Sequence, residues 1–145
     1  MRFRITILAV LAAASALTFA DEHDTLEKLI ARAEAARPDD RPGLYIAICE
    51  RQLKAAEQLY GSDKPEAAQA TVKALVDYAE KAHDAATQTG KRLKDTEIAY
   101  RKMAARLRDL KRGLDFQDQA PVQAAADRLE NLRTDLLSHM FGKKK

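Results

Sequence analysis

Tryptophan is absent from these 145 residues, and the chain has one cysteine, four prolines and five glycines. With Cys49 alone, no disulfide can close within the chain. So few glycines leave no Gly-rich loop to cradle a phosphate. Gly-x-Ser-x-Gly and Cys-x-x-Cys-His are both missing, which removes the common hydrolase elbow and covalent haem attachment. Strand-type alternation of Val, Ile and Thr is absent beyond the first twenty residues. A strong excess of one charge is lacking too, with 25 Lys and Arg against 22 Asp and Glu. Overall charge therefore selects no partner.

What remains is rich in Ala, Leu, Lys, Arg, Glu, Gln and Asp, mostly good helix formers. The start is different. Met1–Arg4 is short and basic, Ile5 to Ala14 is apolar apart from Thr6, and small residues follow, which is the order of a secretory signal peptide. The run is too short for a comfortable membrane span and ends at Asp21-Glu22-His23-Asp24. Cleavage is expected after Ala20, with Ala16 as the competing site. The sequence thus divides into a leader over 1–20, one helical domain over 21–141 and a basic tail over 142–145. The mature protein is expected in the periplasm or secreted, and not membrane-spanning once processed. Removing Arg2 and Arg4 leaves 23 basic against 22 acidic side chains.

The predicted class is all-α, with antiparallel helices packed along one long central helix of about 64–112 that is continuous, bent or broken near Gly90. Its apolar residues recur at alternating steps of four and three: Ala68, Val72, Leu75, Ala79, Ala82, Ala86, then Leu93, Tyr100, Met103, Leu107, Leu110 and Leu114. Thr89 and Thr96 fill the gaps, so the phase survives Gly90, which favours a continuous rod on the order of 75 Å. A break at Thr89-Gly90 would instead fold the same pieces into a bundle.

Around it, a first helix is expected from Thr25 to Ala36 with Asp24 as its cap. Pro38 and Pro42 interrupt the chain before a second helix over Leu44–Tyr60, which Gly61 ends. Asp63 caps the long stretch, with Glu66 completing a capping box. Pro121 opens the last helix, whose stripe is Val122, Ala125, Leu129, Leu132, Leu136 and Met140. Cys49, among Leu44, Tyr45, Ile46, Ile48 and Leu53, reads as a buried thiol, with an intermolecular disulfide as the alternative.

Charge is segregated. Lys91, Arg92, Lys94, Arg101, Lys102, Arg106, Arg108, Lys111 and Arg112 face only Asp95, Glu97 and Asp109 within the same stretch. Asp115, Asp118, Asp127, Glu130 and Asp135 dominate the next, so the two stretches should pair antiparallel. The surplus positive charge marks a face for a partner or an anionic envelope polymer. Export makes nucleic acid the wrong target.

Two metal patterns occur. Cleavage after Ala20 would leave Asp21-Glu22-His23 at the mature terminus, where the amine, two amides and an imidazole suit Cu(II) or Ni(II). Glu80-Lys81-Ala82-His83 is half of a di-iron bundle motif, but no second Glu-x-x-His exists. Met103, Met140, His83 and His139 are the conceivable haem ligands, and for both methionines core packing is the simpler role. No enzyme and no bound cofactor are expected.

Glu50-Arg51-Gln52-Leu53, Gly61-Ser62-Asp63-Lys64-Pro65-Glu66 and Tyr78-Ala79-Glu80 together resemble helical hairpins of exported bacterial proteins of unassigned function. They are also similar to a tetratricopeptide hairpin, without its Trp-Leu-Gly-Tyr pattern or a 34-residue repeat. The resemblance implies a helical hairpin and no activity. The expected function is an exported, non-catalytic helical scaffold or interaction protein, engaging a protein partner or a second copy. The alternatives are a periplasmic metal- or cofactor-binding bundle and an envelope polyanion binder.

Overall fold

The computed structural model describes residues 25–142. Within them five α-helices follow one another: α1 (Leu26–Ala35), α2 (Arg41–Gly61), α3 (Pro65–Thr89), α4 (Leu93–Arg112) and α5 (Phe116–Phe141), with a 3₁₀ turn at Pro38–Asp40 and no strand. The all-α class is as the sequence predicts. The leader, Asp21–Asp24 and Lys143–Lys145 lie outside the described residues.

The continuous rod is not formed; the chain takes the alternative and breaks at Gly90. Gly90 adopts the left-handed conformation at φ +69° and donates its N–H to the Ala86 carbonyl at 2.8 Å. Thr89 Oγ1 donates to the Ala85 carbonyl at 2.8 Å and accepts the Lys91 N–H at 3.2 Å, closing the helix end. Arg92, also left-handed at φ +62°, starts α4. The reason for the break is burial. A straight rod would leave much of its own seam uncovered, whereas reversal lets both halves face one core.

That core holds Val72, Leu75, Ala79 and Ala86 of α3, Tyr100, Met103, Ala104 and Leu107 of α4, and the Val122–Leu136 stripe of α5. Leu93, Leu110, Leu114 and Met140 are half-buried at the seam ends. Two antiparallel hairpins, α2/α3 and α4/α5, make the closest packing, and α5 also lies along α3 while α4 reaches α2. The direction of α5 follows from its bridges. Arg128 meets Glu80 at 2.7 Å and Asp135 meets His83 at 2.5 Å, so α3 and α5 run parallel. α1 covers a smaller cluster of Tyr45, Ile48 and Ala82 with Leu29 and Ala33.

Several boundaries differ from expectation. Thr25, not Asp24, is the cap of α1, its Oγ1 accepting the Lys28 N–H at 3.2 Å. α2 begins at Arg41 rather than Leu44, because Pro42 needs no N–H in a first turn. Gly61 remains helical, and Asp63 takes the left-handed turn position at φ 57° instead of capping α3, which Lys64 precedes without a side-chain cap. Pro121 does not open α5 but lies inside it, the helix starting at Phe116.

The Gly90 turn is testable. A Cβ at Gly90 would meet nothing within 4 Å, so replacement there acts through the backbone alone. Gly90→Ala is expected to lower unfolding free energy by about 1–2 kcal/mol, read by urea titration. No change would mean that the left-handed turn is not held in solution.

Candidate interaction surfaces

The nine basic residues of the 91–112 stretch divide into two groups. Five are engaged. Arg106 pairs with Glu57 on α2 and Arg112 with Asp109. Arg108 meets Glu130 on α5 at 3.3 Å, Lys111 donates to Gln123 Oε1 at 2.9 Å, and Arg92 lies 3.9 Å from Asp95. Lys91, Lys94, Arg101 and Lys102 are exposed, and none has an ion pair among the described residues. Helical spacing places Lys94 and Arg101 two turns apart on one flank of α4, with Lys102 on the neighbouring strip, while Lys91 lies in the link before the helix.

In the sequence Glu97 counts only as one of three acidic residues within the basic stretch. It is 7% exposed, between Thr96 and Tyr100, and accepts from Arg133 Nε at 2.7 Å. Arg133 reaches Glu130 as well at 3.3 Å, and the hydrogen bond to Glu97 leads the causes that raise its guanidinium further. With Arg108–Glu130 this network fixes the antiparallel register of α4 on α5. The signal was present, since Glu97 falls four residues after Leu93 and three before Tyr100 on the inward face.

The polar atoms inside the bundle are satisfied. Tyr100 donates its hydroxyl to the Ala79 carbonyl at 2.6 Å, and the Cys49 thiol donates to the Leu75 carbonyl at 3.4 Å. Burial pushes both groups well above their ordinary pKa values. Cys49 is 0% exposed, so the thiol is inert and the intermolecular disulfide is excluded for this fold.

The histidines meet where sequence spacing did not bring them together. His83 lies between Asp135 at 2.5 Å and Asp84 at 3.3 Å, and His139 packs edge-on against its ring at 6.3 Å. His139 Nδ1 donates to the Asp135 carbonyl at 2.9 Å. Glu80, the other half of the Glu-x-x-His pattern, is taken by Arg128. Met103 is 3% exposed within the apolar core. No group of three or more His, Cys, Asp or Glu among the described residues is arranged to hold a metal ion. Asp21, Glu22 and His23 lie outside the described residues.

Beside α1, Lys81 stands over Tyr78 at 5.1 Å and Tyr45 at 6.0 Å while pairing with Glu34 at 3.5 Å. This ties three helices together with a cation on two aromatic faces. Two concavities among the described residues are open grooves. One of about 530 Å³ lies among Arg32, Ala36, Asp40, Leu44 and Arg92, and one of about 270 Å³ runs between α3 and α5 past Val72, Val76 and Pro121. No helix among the described residues is long and apolar enough to cross a membrane. Comparison with family models, with curated proteins and with solved structures finds no match.

Proposed function

We propose that the chain is an exported, non-catalytic helical interaction protein that receives an acidic partner on the outward side of α4. The observation that carries this reading is the set of exposed cations Lys94, Arg101 and Lys102 on α4, with Lys91 just before it, none ion-paired among the described residues while the other basic residues of the stretch are engaged. Exposed cations with no ion pair among the described residues repel one another, and an acidic surface would relieve that repulsion while steering encounter. The leader-like segment Met1–Ala20 supports export.

The test uses a fluorescent polyglutamate peptide as the acidic probe. Arg101→Glu with Lys102→Glu reverses two charges in the middle of α4. Because neither residue has an ion pair among the described residues, thermal stability should not change. Binding is expected to weaken about tenfold, chiefly in association rate, and wild-type binding should weaken as salt rises. Affinity indifferent to both the reversal and salt would reject an acidic partner on this face.

A further inference from the structure

The two ends of the bundle differ in charge, and each carries an exposed phenylalanine. Because α3 and α5 are parallel and α2 and α4 run against them, one end gathers the start of α2, the α3–α4 link and the end of α5. The other gathers the α2–α3 and α4–α5 turns. The proximity of Asp118 to Tyr60, which it helps to hold protonated after the larger effect of burial, places those two turns side by side.

At the first end, Arg37, Arg41, Lys91, Arg92 and Lys94 outnumber Asp39, Asp40 and Asp95, and three further lysines follow Gly142 in the sequence. At the second, Asp63, Glu66, Asp109, Asp115 and Asp118 outnumber Lys64, Lys111 and Arg112. The large apolar side chains exposed among the described residues are Phe141, 72% exposed at the basic end, and Phe116, 88% exposed at the acidic end. Half-buried Leu137 and Met140 accompany the first, and half-buried Leu114 and Tyr60 the second. A basic rim with an aromatic tip and an acidic rim with an aromatic tip are complementary, and both belong to one molecule.

We infer that copies of this chain stack head to tail, the Phe141 end of one resting on the Phe116 end of the next. The inference uses the ends of the bundle and does not depend on the acidic-partner reading of α4. Since the two surfaces differ, the contact is heterologous and leaves one unused end at each side of every pair, so assembly is open rather than closed at a dimer. Helices spaced 8–10 Å apart give a bundle end roughly 20 Å across, or on the order of 400 Å² per copy. That falls below a standard interface, so stacking is reversible, grows with concentration and weakens with salt.

Sedimentation velocity on the purified protein, up to about 1 mM and at about 0.02 M and 0.5 M salt, reads this directly. Wild type is expected to sediment faster with concentration at low salt, without levelling at a dimer. Phe116→Ser and Phe141→Ser remove exposed side chains, so each variant should melt as wild type does and remain monomeric. An equimolar mixture of the two should form one-to-one dimers and nothing larger, because each variant supplies one intact end. A protein monomeric throughout overturns stacking. So does a closed dimer that survives one of the two substitutions, which would place like ends together. Monomers that instead sediment with phosphatidylserine vesicles through Phe141 would assign that end to a lipid surface and also overturn it.

Discussion

Leu129→Ala is expected to lower unfolding free energy by about 2–5 kcal/mol, in the upper half of that range. Leu129 is 0% exposed, midway along α5, in the cluster that joins α2, α3, α4 and α5. Two of the four buried residues that α3 gives that cluster are alanine, Ala79 and Ala86, both 0% exposed. Alanine has no χ rotamer to swing into a void, and closely approached helix backbones shift little, so the cavity stays open and the cavity cost adds to the transfer cost. Domains of this size are held by about 5–15 kcal/mol in total, so the variant should be partly unfolded when mildly heated. Urea titrations should show a lower midpoint with an unchanged slope. Leu26→Ala on α1, where the side chain is half-buried, serves as the comparison and should cost much less. Equal losses at both positions would mean that the core repacks around the missing leucine.

The inward stripes were legible because they depend only on period. Every residue of the α3 seam from Ala68 to Ala86 is buried, as are Tyr100, Met103 and Leu107 on α4 and Val122 to Leu136 on α5. The same period could not reveal the break at Gly90. A continuous helix and a tight reversal both turn the seam inward, so phase is kept either way, and only the left-handed capacity of Gly90 distinguishes them. Pro121 misled for a related reason. Proline is commonest in a first turn, but α5 gains an extra turn ahead of it, with Asp118 N–H on the Asp115 carbonyl at 2.9 Å and Gln119 Nε2 on the Leu114 carbonyl at 3.0 Å.

The candidate surface was legible as a set and not as a pattern. The sequence identifies nine cations in one stretch, but which of them remain unpaired among the described residues depends on partners far along the chain. Arg106 is engaged by Glu57, and Arg108 by Glu130, each from another helix. The same holds for His83 and Asp135, which are brought together only by the parallel course of α3 and α5. Long-range registry is set by packing, and no local spacing encodes it.

Raising the pH from 8 to 11 is expected to remove about 4 kcal/mol of stability through two buried acids, Cys49 and Tyr100. Cys49 is 0% exposed and Tyr100 is 0% exposed, and desolvation holds both groups protonated in the fold. For Tyr100, the charges of Asp84 and Glu80 add to the effect and Arg128 opposes it. In the unfolded chain the two groups titrate near their ordinary values of 9.0 and 10.0. Their raised folded pKa values mean that the stability is fully present below pH 9. Above it the unfolded chain releases protons that the fold retains, and unfolding gains about 1.4 kcal/mol per pH unit for each ionised group. At pH 11 that amounts to two units for Cys49 and one for Tyr100. Cys49→Ala with Tyr100→Phe provides the control. The double variant loses the hydroxyl bond to Ala79 and should be weaker at pH 8, yet its stability should decline far less between pH 8 and pH 11. Urea midpoints at the two pH values measure the difference. Equal pH slopes for wild type and variant would show that neither group is withheld from solvent, and so that the packing of α2, α3 and α4 around them is looser than this fold requires.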